Sequence, residues 1–251
     1  MTAIPRRRTS RTALLGAMCA LVVTGTGLTG CSSDPDEGTN GVGKLPADQI
    51  QAKTRAAAES AKALRLAGNV VTSGRTYKLD MKLSSEGASG SVTAEGTTFG
   101  LLRVGEHLYV KADADFWTHA DGKGDGSDSD AAAADKLDGK YVKVPAGDPS
   151  YKKFSGFTDK DVLLDGLLTL HGALDTDGHH EQAGTRTIRI TGDEGDGGTL
   201  DVSLEGEPYP LRLARAGGAG TLTFSAWGKS FALAEPKKDE TVDYGKQLPT
   251  S

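Results

Sequence analysis

The residues best suited to covalent chemistry in this chain are Leu28, Thr29, Gly30 and Cys31. They set a thiol behind a small residue at the end of a short apolar run. That is where a lipoprotein signal peptide is cut, leaving the cysteine as the mature N-terminus with diacylglycerol on its sulfur. Arg6, Arg7, Arg8 and Arg11 supply the positive start. The run that follows is too short and too rich in Gly and Thr to span a bilayer, which needs ~20 mainly apolar residues. Residues 1–30 are therefore expected to be a discarded signal peptide and Cys31 the lipidated residue. Residues 31–45, polar and glycine-rich, read as a flexible tether, and residues 46–251 as the working domain. Arg7-Arg8 suits a twin-arginine signal, but no Phe-Leu-Lys-like sequence follows, so both export routes stay open.

Other chemistry is sparse. Cys19 falls inside the discarded segment and Cys31 is acylated, which leaves no thiol for a disulfide, a metal or a nucleophile. The acidic run at residues 121–130 fails the EF-hand spacing, because Lys123 stands where a ligand oxygen belongs. His171, His179 and His180, with Glu181, lie in an Asp/Gly-rich stretch without the i, i+4 spacing of a zinc helix, so no metal is expected. No Gly-x-Ser-x-Gly elbow is present and no carboxylate pair stands out, so neither an enzyme nor a cofactor is expected. Without residues 1–30 the chain carries 25 Lys and Arg against 34 Asp and Glu. Such an acidic surface argues against nucleic acid and against polybasic adhesion to lipid. Attachment to the extracytoplasmic face of the cell membrane then falls to the acyl chains on Cys31, two or three of which anchor stably where one does not.

The elements that must carry any site are readable from period. Pro46 and Asp48 suit a helix start, and Ile50, Thr54, Ala57, Ala61 and Leu64 form one stripe on a helix of ~18 residues. From Leu66 the period changes to two. Tyr77, Leu79, Met81 and Leu83 alternate with polar residues, and the same pattern recurs around residues 187–190, 200–205 and 222–225. Further short strands are expected near residues 92–95, 97–104, 107–112, 141–144 and 211–214, with glycine turns between them. Strands that follow one another through short turns make an antiparallel meander. Residues 120–135 read as a surface excursion with a short helix over 130–137, and residues 174–183 as a loop. Residues 158–170 read as an almost wholly apolar helix started by a capping box at Thr158 and Asp161. The expected fold is α+β: a curved antiparallel sheet, an incomplete barrel, wrapped over helices. Small alanine side chains leave room between such layers. Phe116 and Trp117 are candidates for the mouth of a cavity, and Leu163, Leu164, Leu167 and Leu168 for its wall.

Several segments together carry a resemblance. They are the lipobox, the opening alanine-rich helix, the hairpin at residues 105–111, Phe116-Trp117, residues 140–145, the leucine helix after Asp161, residues 207–212 and residues 221–229. In order and spacing the chain resembles the actinobacterial LppX/LprG-like lipoproteins, in a Streptomyces-type form. Their fold is similar to that of the lipoprotein carriers LolA and LolB. The resemblance implies an incomplete barrel over helices, a cavity that in some members holds acylated lipid, and no catalytic motif. The long acidic insertion and the glycine-rich strands depart from the family pattern. The implied function is a monomeric, membrane-anchored lipoprotein that binds an acylated lipid, or another lipoprotein's acyl chains, in a hydrophobic cavity. The alternative is a non-catalytic envelope module with a filled core that holds a protein partner.

Overall fold

Alternation at period two becomes a continuous apolar surface once the strands pair. The computed structural model describes residues 35–119, 128–243 and 245; the motif at residues 28–31 and residues 120–127 lie outside them. A helix, α1 (Ala47–Ser60), precedes five antiparallel strands: β1 (Ala63–Thr72), β2 (Arg75–Ser84), β3 (Gly87–Ala94), β4 (Thr97–Val104) and β5 (His107–Lys111). Two helices, α2 (Ala114–His119) and α3 (Asp128–Leu137), lead to β6 (Tyr141–Val144). Two more, α4 (Pro149–Thr158) and α5 (Lys160–Leu167), lead to β7 (Leu174–Gln182). The chain then runs through β8 (Thr185–Gly192), β9 (Gly198–Ser203), β10 (Pro210–Arg215) and β11 (Thr221–Ser225), and ends on β12 (Thr241–Asp243).

Among the described residues these strands form one open, curved 12-stranded sheet, with β12 at one edge and β7 at the other. It is antiparallel except where β12 lies parallel to β6, and it does not close into a barrel. Cross-strand partners carry one apolar row over eight strands: Phe99, Val92, Leu79, Gly68, Leu222, Leu213, Leu200 and Ile190. Gly68 sits in the middle of that row at φ 139°, where a Cβ would come within 2.2 Å of the Thr221 carbonyl oxygen. Only glycine permits that approach. The opposite face carries the charges, such as Arg65 donating to both oxygens of Asp80 at 2.8 and 2.6 Å.

The helices cover the apolar face. Helix α1 buries Ala47, Ile50, Thr54, Ala57 and Ala58 and contacts α5, β7 and β8. It ends earlier than its stripe suggested, because Ala61 already has extended backbone. Leu64 is therefore buried from β1 rather than from the helix. The leucine helix expected over residues 158–170 is shorter, α5 alone, and a further helix, α4, precedes it. A break at Asp159 separates α4 from α5, and the Asp159 carboxylate, not Thr158, accepts the Asp161 and Val162 amides at 3.2 and 3.1 Å. Residues 174–182 are an edge strand instead of a loop.

Two further segments belong to the fold. Asn40, inside the expected tether, donates from Nδ2 to the carbonyls of Ser203 and Gly206 at 3.0 Å. Val42 beside it is 3% exposed. The tether expected over residues 31–45 thus has its second half docked on the domain. After β11 the chain returns across the outer face: the Gly228 amide donates to the Ala63 carbonyl at 2.8 Å, and Glu235 pairs with His107. Tyr109 is buried on that outer face, where burial, then the Glu235 and Asp243 carboxylates, push its phenol pKa up.

Candidate functional site

An aromatic strip lies where α2 and α4 cross β2–β4. Phe99, third in the alternating run of β4, points toward the helices and meets Phe116 of α2 at 5.1 Å and Phe154 of α4 at 5.6 Å between ring centroids. Phe116 stands edge-on to Trp117 at 4.9 Å. Farther along, Tyr77 of β2 meets Phe157 of α4 at 5.6 Å. Tyr77, Phe116, Phe154 and Phe157 are only partly buried, whereas Phe99 and Trp117 belong to the core. Rings that are half wet and half packed border the sheet–helix interior, as expected at the rim of an apolar site.

The local sequence explains how α4 aims its two rings. Asp148 caps the helix by accepting the Ser150 amide at 2.8 Å, Pro149 occupies the first turn, and Phe154 and Phe157 follow one turn apart on one face. Beyond the break, α5 buries Leu164 and Leu167. Leu168, just past its end, is 1% exposed. Leu163 is half-buried, and Val162 is 62% exposed.

Charged groups fix these helices to the sheet and to α1. Arg103, on the apolar face of β4, donates to Asp159 Oδ2 at 3.2 Å. Burial would raise the Asp159 pKa, but hydrogen bonds from the Val162 amide, Arg103 and the Asp161 amide hold it below the usual carboxylate range. Lys160, 3% exposed, donates from Nζ to the Glu59 carbonyl at the end of α1 at 2.8 Å and pairs with Asp161 at 2.7 Å. A cation on the last carbonyls of a helix is favourable twice over, by hydrogen bond and by dipole. Arg55 of α1 pairs with Asp165 of α5.

The six residues expected to line a cavity belong to one contiguous apolar cluster: Trp117, Leu164, Leu167 and Leu168 inside it, Phe116 and Leu163 against it. Leu167 also borders a cleft of about 40 Å³ with Leu170 and Leu213, room for about one water. A second cleft, of about 210 Å³, lies on the outer side between Arg65, Lys82, Lys229 and Phe231. Neither is lined by Phe116 or Trp117. Sequence reasoning missed Tyr77, Phe99, Phe154 and Phe157. The signal available for the last two was Asp148-Pro149 at a helix start with Phe at i and i+3.

The expected non-metal histidines sit at β7. His179 bonds Asp36 at 3.1 Å, and His180 bonds the Asp177 carbonyl at 2.9 Å. His171 is exposed just before that strand. Among the described residues no helix is long and apolar enough to cross a membrane. Cys31 lies outside the described residues.

Neither a family model nor a curated protein matches the sequence. Among solved structures the chain is similar to the crystal structure of LprF from Mycobacterium bovis, with 14% identity over 76% of this chain and 96% of that one and a TM-score of 0.53. It also matches the lipoprotein LppX from Mycobacterium tuberculosis, at 16% identity over 74% of this chain and 99% of that one, with a TM-score of 0.44. The likeness to LprF is one of fold: an open, curved sheet over helices.

Proposed function

We propose that this protein is an extracytoplasmic lipoprotein of the LppX/LprG-like kind, anchored to the cell membrane through Cys31, that binds an acylated lipid between its helices and its sheet. The observation that carries the reading is the half-buried aromatic strip of Tyr77, Phe116, Phe154 and Phe157 over an apolar interior. Its shared fold with LprF supports the architecture, and the lipobox supports the location. Binding needs no covalent step, since each CH₂ taken out of water contributes roughly 0.8 kcal/mol.

A second reading rests on its own observation. Leu164 and Leu168 are 1% exposed, and the cleft beside Leu167 holds about 40 Å³, whereas sites for sizeable ligands run to about 300–1,000 Å³. A filled core suits an envelope module that holds a protein partner. One experiment separates the two. The body Pro35–Ser251, which contains the whole described core, is purified, extracted with organic solvent and run by mass spectrometry, and is then titrated with a fluorescent fatty acid. Co-purified lipid or saturable uptake is expected. Absence of both refutes acyl binding in favour of the filled module.

A further inference from the structure

Trp117 is buried with its only polar group unused. Its side chain is 5% exposed, and among the described residues Nε1 finds no hydrogen-bond acceptor. An indole has one donor and nothing else to offer, and buried donors of this kind are almost always satisfied. The second tryptophan shows the ordinary outcome: Trp227, less buried, stacks on Tyr209 and donates to the Pro210 carbonyl at 3.1 Å. A trapped water at Trp117 would itself need two to four polar contacts. The rings of Phe116, Phe99 and Phe154 that lead away from it offer none.

Three other buried polar atoms lack partners among the described residues, and each differs in kind. Arg103 Nε belongs to a guanidinium already bonded to Asp159. Thr187 lies on the outer face of β8, opposite Ser203. Thr54 is a rotatable hydroxyl on α1. Trp117 alone is a fixed donor that continues the aromatic strip.

We propose that the Trp117 indole N–H is the hydrogen-bond donor for the carbonyl oxygen of a bound acyl ester or acyl acid, the polar fixed point of an otherwise apolar site. The assignment rests on the acyl-binding reading above and adds to it the chemical class recognised: a carbonyl-bearing chain in preference to a plain hydrocarbon. Phe116 and Phe99 flank the chain beside the carbonyl, and the donor sets how far the chain enters.

Nitrogen-15 NMR tests it on the labelled body Pro35–Ser251, which holds both tryptophans. Trp227→Phe assigns the two indole signals. Methyl dodecanoate and tetradecane, matched in chain length, are added separately, and uptake is measured by gas chromatography after gel filtration. The expected result is a downfield shift of the Trp117 indole proton with the ester only, while the Trp227 signal stays in place. Trp117→Phe is expected to keep alkane uptake and to lose roughly tenfold in affinity for the ester, the worth of one net hydrogen bond. Uptake of the ester without a shift at Trp117, or equal shifts with both compounds, overturns the assignment and leaves acyl binding standing. Uptake of neither compound overturns both.

Discussion

Replacing Leu164 by Ala measures how tightly the helix layer fills the interior. Leu164 lies on the buried side of α5 and is 1% exposed, and its carbonyl accepts the Leu168 amide at 2.9 Å, which ties its backbone to the helix end. A site that cannot relax retains the cavity left by truncation, and buried Leu→Ala changes cost about 2–5 kcal/mol. For a body of this size each kcal/mol shifts Tm by about 2–4 °C. A loss of about 3 kcal/mol, or about 6–12 °C, is therefore expected in urea unfolding and in a thermal scan followed by tryptophan fluorescence. Val162, two residues earlier on the same helix and 62% exposed, is the internal control. Its change to Ala should stay within about 0.5 kcal/mol. A Leu164→Ala loss below about 1 kcal/mol would refute the reasoning, because it would mean that the leucine faces open space rather than packed neighbours. Equal losses at the two positions would refute it too, since burial would then not be what sets the cost.

Phe157→Gln, at the half-buried ring against Tyr77, should weaken fatty-acid uptake about tenfold while the urea midpoint moves little; unchanged uptake removes α4 from the rim. The Asp159 carboxyl is held below its ordinary pKa in the fold, so its contribution is complete above the unfolded value of about 4 and fades as pH falls through the lower folded value. Asp159→Asn, which keeps the cap but not the charge, should cost at most about 1 kcal/mol at pH 7 once solvent screening is allowed for. That difference should fade as pH falls below the ordinary carboxylate range and through the lower folded value, and a difference in midpoint that does not change with pH counts against the ion pair with Arg103. Gly68→Val places a Cβ at the Thr221 carbonyl oxygen and should cost at least about 3 kcal/mol in strain and displaced backbone; a normal midpoint rules out that close approach. Cys31→Ala should release a folded protein into the medium, and persistent membrane attachment would show that the anchor lies elsewhere.

The sheet was legible because its strands have one wet face. Tyr141–Val144 and Thr97–Val104 fall on the expected residues, and the apolar positions of β2 all face the helices. β7 was not legible for the converse reason: as an edge strand exposed along most of its length, it has no buried face to impose alternation. Helix α4 was missed because Gly156 and the lysines dilute its stripe. The start of α5 at Asp159 was misplaced by one residue because Thr158 and Asp161 together offer a capping box. Arg103 breaks the alternation of β4 by placing a cation on the apolar side, and only the folded chain shows its partner on Asp159. The docking of Asn40 depends on contacts more than 160 residues away in sequence, which local composition does not encode. The aromatic strip has the same character, since its rings come from β2, β4, α2 and α4 and no spacing along the chain unites them.

On the proposed acyl-binding reading, what drives binding depends on where the acyl chain starts. From water, sixteen methylenes would contribute about 13 kcal/mol on burial. A lipid in a bilayer, however, is already surrounded by hydrocarbon as apolar as leucine, so moving its chain into the sheet–helix interior gains almost nothing from hydrophobicity. The interior must also separate Leu164 and Leu168 from their neighbours to admit the chain, a cost of the same kind as the Leu164→Ala loss. A carrier with this core therefore needs a term that the membrane does not supply. A buried donor left empty in the ligand-free protein is such a term, because the free protein already bears the cost of an unmet N–H and the bound carbonyl removes it. The stability of the empty protein and its preference for carbonyl-bearing chains are then coupled through one residue. Trp117→Phe should stabilise the ligand-free body, by about 1 kcal/mol, while weakening ester binding. A variant that loses stability and affinity together would mean that Trp117 serves packing alone.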